Sequence, residues 1–180
     1  MIIILTGSPG EGKTTFIKQL ISFLKTEDVL VSGIFASGTW KDGVRDSFNV
    51  VDIETGQHLL LCDHMNTSAS LKFRHFFFKP EGIEFGLNSI NKGLKSGPEV
   101  MIIDEIGGYE LIGGGWHPVL TEVFRRQNLI KVLVVRRTLV NDVIKEWNLD
   151  KPVIIDVNDT LPISLGKTIK KVFKKNRYFT

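Results

Sequence analysis

The chain is 180 residues long, enough for one domain of ordinary size. Its residues are 42% hydrophobic and 24% charged, a mix that excludes a disordered, collagen-like or disulfide-stapled chain. The net charge is +3, but residues 160–180 hold no acid and six basic side chains (Lys167, Lys170, Lys171, Lys174, Lys175 and Arg177), so the rest of the chain sits at −3. The basic character therefore belongs to the last segment, which argues against a nucleic-acid-binding body. Cys62 is the one cysteine, so no intrachain disulfide can form. No apolar run nears the roughly 18–20 residues that cross a membrane. The run Ile2–Leu5 has no basic segment before it, unlike a secretory leader. The expectation is a soluble cytoplasmic protein with no membrane partner.

In chain order, Ile2–Thr6 reads as a strand buried on both faces. Phe16, Ile17, Leu20, Ile21 and Leu24 then share one face of a helix. Val29–Ala36 is a second strand. Ser47–Ile53 and His58–Asp63, linked by Glu54-Thr55-Gly56-Gln57, read as a β-hairpin. Ile83, Leu87, Ile90 and Leu94 mark a helix that stops at Gly97-Pro98, and Val100–Ile103 is another apolar strand ending in Asp104-Glu105. Pro118 can open a helix carrying Val119, Leu120, Val123 and Phe124. Ile130–Val135 (strand), Leu139–Trp147 (helix), Val153–Val157 (strand) and Ser164–Lys175 (helix) complete the pattern. Strands alternating with helices predict one α/β domain over residues 1–180, with a mostly parallel central sheet covered on both faces and a hairpin inserted at its edge.

Gly7-Ser8-Pro9-Gly10-Glu11-Gly12-Lys13-Thr14 matches the phosphate-loop pattern G-x-x-x-x-G-K-[ST]. Its glycines let backbone N–H groups ring phosphate oxygens, and the helix that follows points its positive end at the same anion. Gly7 to Thr15 is thus the expected nucleotide-binding segment. Lys13 reaches the β- and γ-phosphates and Thr14 takes a Mg²⁺ position. Val100–Ile103 followed by Asp104-Glu105 puts an acid at the carboxyl end of a core strand, where open α/β sheets bind ligands. Asp104 suits Mg²⁺, which prefers few carboxylates and retained waters, and Glu105 suits activation of a water.

Gly7–Thr15, the Arg45–Gly56 stretch and Asp104-Glu105-Ile106-Gly107-Gly108-Tyr109-Glu110-Leu111 together resemble the small P-loop nucleoside-triphosphatases known as cancer-related or thermophile-type NTPases. The D-E-I-G-x-x-E-L string is the more specific mark. The resemblance implies a three-layer, RecA-like P-loop NTPase fold. It also implies Mg²⁺-dependent hydrolysis of ATP, GTP and other triphosphates with little base selectivity, with roles for Lys13, Thr14, Asp104 and Glu105. Ser47, Arg136-Arg137 and Gly113-Gly114-Gly115-Trp116 depart from the family pattern.

Arg45, placed in a loop after the second strand, has two readings: an arginine finger supplied in cis, or a solvated side chain. Arg136 and Arg137 end a strand on the same edge as the phosphate loop, where one of them can sense the γ-phosphate or both can be surface residues. Five glycines in residues 107–115 predict a mobile loop beside the site. Trp116 reads as a core anchor before a base-stacking residue, Trp40 is weighed the same way, and the four histidines lack metal-set spacing. The stripe Ile169, Val172, Phe173 packs inward in the plainer reading of the basic helix, and lies on a membrane or nucleic acid in the other. Hydrolase is the lead function. A kinase with an acceptor region in Ser70–Glu84, served by Lys72, Arg74 and Lys79, and a nucleotide-gated adaptor are the alternatives. No N-K-x-D motif selects a base, and the sequence names no protein partner.

Overall fold

The computed structural model describes residues 1–41, 43–67 and 69–177. Among these, nine strands form one sheet in the order β5-β6-β4-β3-β2-β7-β8-β1-β9. They are β1 (Ile2–Gly7), β2 (Val31–Lys41), β3 (Val44–Asp52), β4 (His58–Asp63), β5 (Leu71–Phe73), β6 (Phe76–Phe78), β7 (Val100–Ile106), β8 (Ile130–Arg136) and β9 (Val153–Asp156). From β2 to β9 across the sheet every pairing is parallel, and β3 to β6 add an antiparallel wing. The helices are α1 (Lys13–Thr26), α2 (Pro80–Ser96), α3 (Gly108–Leu111), α4 (His117–Arg125), α5 (Val140–Glu146) and α6 (Pro162–Arg177).

Why the apolar runs become central strands is visible in their alternation, since successive strand residues face opposite sides. Ile4, Met101, Ile103, Leu133 and Val135 enter the core beneath α2, α4 and α5. Ile3, Leu5, Val100, Ile102, Val132 and Val134 enter the core beneath α1 and α6. Both faces are covered, so no polar alternation is left in β1, β7 or β8, and the three-layer expectation holds. The parallel strands bring Gly7, Asp104, Arg136 and Asp156 to one edge of the sheet. The phosphate-loop strand β1 and the acid strand β7 are separated by β8.

The insertion is larger than the predicted hairpin. Strand β2 runs on to Lys41 and pairs with β3, with Trp40 opposite Arg45, so Arg45 lies on a strand and not in a loop. The short pair β5–β6 turns at Arg74-His75 without glycine or proline, and therefore gave no turn signal. The His64 ring bonds the carbonyls of His75 and Arg45, tying that turn to β3.

Helix α6 packs inward. Leu165 and Ile169 are buried beside α1, with Val172 and Phe173 partly covered. Gly166 sits under Phe23, whose ring would lie 2.3 Å from any Cβ there. Lys170 adds an ion pair with Glu27. The side chains of residues 174–177, which include Lys174, Lys175 and Arg177, lie outside the described residues, as do residues 178–180. Truncating fully buried Ile169 to Ala should cost about 2–4 kcal/mol, against within about 0.5 kcal/mol for exposed Lys171→Ala. Urea unfolding checks both, and equal effects would mean the stripe is not a core contact.

Candidate active site

The loop between β1 and α1 takes its shape from two left-handed residues, Gly10 at φ 86° and Gly12 at φ 83°. A Cβ would touch nothing within 4 Å at either, so the backbone conformation is what calls for glycine there. Helix α1 opens on Lys13 with no acid in its first turn and no side-chain cap, which leaves its leading N–H groups for an anion. The Lys13 ammonium is buried and donates to the carbonyls of Gly7 at 3.0 Å and Ser8 at 2.8 Å. Burial pulls its pKa down, while the acids Glu105 and Asp104 oppose that shift. Pro9, Gly10, Glu11, Gly12 and Thr15 are exposed around the rim.

Asp104 is only 3% exposed, and its Oδ2 accepts the Thr14 hydroxyl at 3.0 Å. Burial, reinforced by Glu105, pushes its pKa up to about 7 against the pull of Thr14 and Lys13. A desolvated carboxylate beside a hydroxyl is an oxygen donor pair of the kind Mg²⁺ takes, and a divalent cation would offset that desolvation. The next residue leaves the ladder: Asp104 pairs with Val134 and Ile106 with Val135, so Glu105 is the extra residue of a bulge. Its carboxylate is partly exposed, and Oε1 accepts Nε of Arg136 at 2.8 Å.

After β7 the chain wraps around a second buried acid. Glu110 is 5% exposed, and its Oε2 accepts the Gly107 N–H at 2.8 Å, closing the single turn of α3. Gly115, at φ 51°, passes so close that a Cβ would lie 2.0 Å from Glu110 Oε1. Gly114 lies under the Tyr109 ring, which also packs at a tilt against Phe78 (4.5 Å) and Phe73 (5.2 Å). Two of the glycines in the expected mobile loop have a packing role: Gly115 makes room for one carboxylate and Gly114 for one ring. Trp116 is buried against Gly86, a core anchor as expected. Burial pushes the Glu110 pKa up to about 7.

The predicted arginines separate. Both Arg136 and Arg137 border the site: Arg137 donates to Ser8 Oγ (3.0 Å), Glu11 Oε2 (3.1 Å) and Asp156 Oδ2 (2.6 Å). The Arg45 guanidinium instead lies over Trp40 at 4.4 Å and Phe48 at 5.4 Å. Of the acceptor candidates, Lys79 pairs with Asp63 at 2.8 Å, while Lys72 and Arg74 lie over Phe77 and Phe73. Sequence reasoning does not single out the buried role of Glu110. Its signal was present in the D-E-I-G-x-x-E spacing, which puts an acid three residues after Gly107.

A phosphate loop, a hydroxyl bonded to a buried aspartate and a glutamate beside it, on a sheet with one strand between loop and acids, define a P-loop NTPase fold. A model of the NTPase family matches residues 2–160, and the chain belongs to that family. The nucleoside-triphosphatase THEP1 of Thermotoga sp. (strain RQ2) is 28% identical over 177 residues, 98% of each chain. That of Methanothermobacter thermautotrophicus is 31% identical over 139 residues, 77% of this chain and 79% of the relative. The crystal structure of THEP1 from the hyperthermophile Aquifex aeolicus superposes with a TM-score of 0.68 at 23% identity, covering 96% of both chains. The solution structure of a human cancer-related nucleoside triphosphatase gives 0.71 at 20% identity, covering 97% of both. These two show the shared fold.

Glu110 and Asp104 both hold a proton in the folded chain at pH values where an unfolded carboxyl has lost it. What these two acids contribute to stability should therefore be fully present below the unfolded carboxyl pKa and be lost as pH rises through about 7. The thermal midpoint of the metal-free protein should drop between pH 5 and pH 7.5, and Glu110→Gln should shrink that drop by a few degrees. An unchanged drop in the variant would contradict the buried, protonated Glu110.

Proposed function

We propose that the chain hydrolyses the β–γ bond of nucleoside triphosphates, with the phosphates held by Gly7–Thr15 and the chemistry done beside Asp104 and Glu105. The observation that carries this reading is the Thr14–Asp104 hydrogen bond of 3.0 Å with Glu105 next in the chain, which sets two acids against the phosphate loop. Backbone N–H groups of the loop and the Lys13 ammonium neutralise charge on the β- and γ-phosphates. Glu105 takes the proton of the attacking water, whose oxygen bonds to the γ-phosphorus. The bridging oxygen leaves with the diphosphate.

Arg136 orients Glu105 through Oε1 and is assigned to the γ-phosphate, in preference to Arg45, because Arg136 touches Glu105 while Arg45 lies over Trp40 and Phe48. Thr14 and Asp104 would hold Mg²⁺, which supplies further charge neutralisation at the phosphate oxygens. With no N-K-x-D motif, ATP and GTP are both expected substrates.

Phosphate release from Mg-ATP and Mg-GTP by wild type and Glu105→Gln tests the reading, with triphosphate binding checked in both. Wild type should turn over alone, EDTA should abolish turnover, and Glu105→Gln should bind but lose about 10²-fold or more in rate. Tight binding by wild type with negligible release of phosphate would sink the hydrolase and favour an acceptor other than water or a switch driven by a partner.

A further inference from the structure

The phosphate loop of this chain carries an acid of its own. Glu11 folds back over the loop, its Oε2 accepting the Ser8 N–H at 2.6 Å and lying 3.1 Å from where a Cβ on Gly7 would be. Beside it, at the end of β9, stands Asp156, whose Oδ1 accepts the N–H and side-chain amide of Asn158 at 3.0 Å each. Both carboxylates are held below their usual pKa, Glu11 first by the Ser8 N–H and Asp156 first by the Asn158 N–H, so both are ionised at neutral pH. Two negative charges on the rim of a polyanion site repel the ligand through a solvent-exposed, moderately screened path.

Arg137 is placed against both. Its Nε and Nη2 hold Asp156 Oδ2 at 3.1 and 2.6 Å, Nη2 also reaches Glu11 Oε2 at 3.1 Å, and Nη1 donates to Ser8 Oγ at 3.0 Å. The guanidinium fork suits this work because its donors are rigidly spread over several acceptors at once. We propose that Arg137 is a positioning residue for triphosphate affinity: by neutralising Glu11 and Asp156 it lets an acidic phosphate loop accept a polyanion, and it fixes the loop between the ends of β8 and β9. The inference rests on the triphosphate-binding part of the reading above and is independent of whether hydrolysis follows. Glu105 and Arg136 form a separate pair, so the loop clasp and the water-activating acid are served by consecutive arginines.

The test is binding of the imido analogue Mg–AMP-PNP to single and double variants, with melting curves for each. Arg137→Ala should weaken binding about 10-fold or more, while the rate at saturating Mg-ATP stays within about 3-fold. Adding Glu11→Gln to Arg137→Ala should recover part of the lost affinity, because one of the two uncompensated charges is then gone while the Ser8 N–H keeps an acceptor. Asp156→Asn, which leaves Arg137 in place, should bind no more weakly than wild type. The proposal is overturned if Arg137→Ala binds as wild type does, if Glu11→Gln recovers nothing, or if Asp156→Asn weakens binding as much as Arg137→Ala. A wild type that binds Mg–AMP-PNP yet releases no phosphate from ATP would remove the hydrolase reading and leave this one standing.

Discussion

Burying an ionisable carboxylate at the end of a core strand is costly unless something close by compensates it, and much of this molecule is arranged around that requirement at Asp104. The strand that delivers it is apolar on both faces because helices cover both sides of the sheet, so Asp104 emerges from the core with almost no exposure to water. The compensating groups come from elsewhere in the chain: the Thr14 hydroxyl from the first turn of α1, and the Lys13 charge from the residue before it. Linking residues 90 positions apart in this way couples the phosphate loop to the acid strand across the intervening β8. The raised pKa of Asp104 shows that the compensation by protein groups alone is incomplete.

A second buried carboxylate organises the segment just beyond. Glu110 spends one oxygen on the Gly107 N–H, and the chain curls back so that Gly115 lies against the other. The turn is packed below by Trp116 and against the antiparallel wing by the contacts of the Tyr109 ring with Phe73 and Phe78. Because this turn starts two residues after Glu105, its packing helps set where that carboxylate stands. Arg136 completes the placement from the neighbouring strand.

The central strands and the loop were legible in the sequence because each follows from a strong local rule: unbroken apolar runs for β1, β7 and β8, 3.6-residue spacing for α1 and α2, and a glycine-and-lysine pattern for the loop. The two short strands at Leu71–Phe73 and Phe76–Phe78 were not, because Arg74-His75 is an unmarked turn and Phe76-Phe77-Phe78 lacks alternation. The apolar pattern of β2 stops at Ala36, which leaves Arg45 in a loop, whereas pairing with β3 carries the strand on to Lys41, a tertiary gain that propensity does not report. The arginine contacts were only half legible. Sequence put Arg136 and Arg137 at the right edge, yet which acid each one meets depends on strand order and on the bulge at Glu105.

On the proposed reading, the acids beside the phosphate loop direct water, and no other acceptor, at the γ-phosphorus. Turnover of Mg-ATP in ¹⁸O-labelled water, with both products analysed by mass spectrometry, tests it most directly. Single-turnover phosphate should carry one labelled oxygen and the diphosphate none. Label in the diphosphate, or no phosphate released until an acceptor is added, would contradict it.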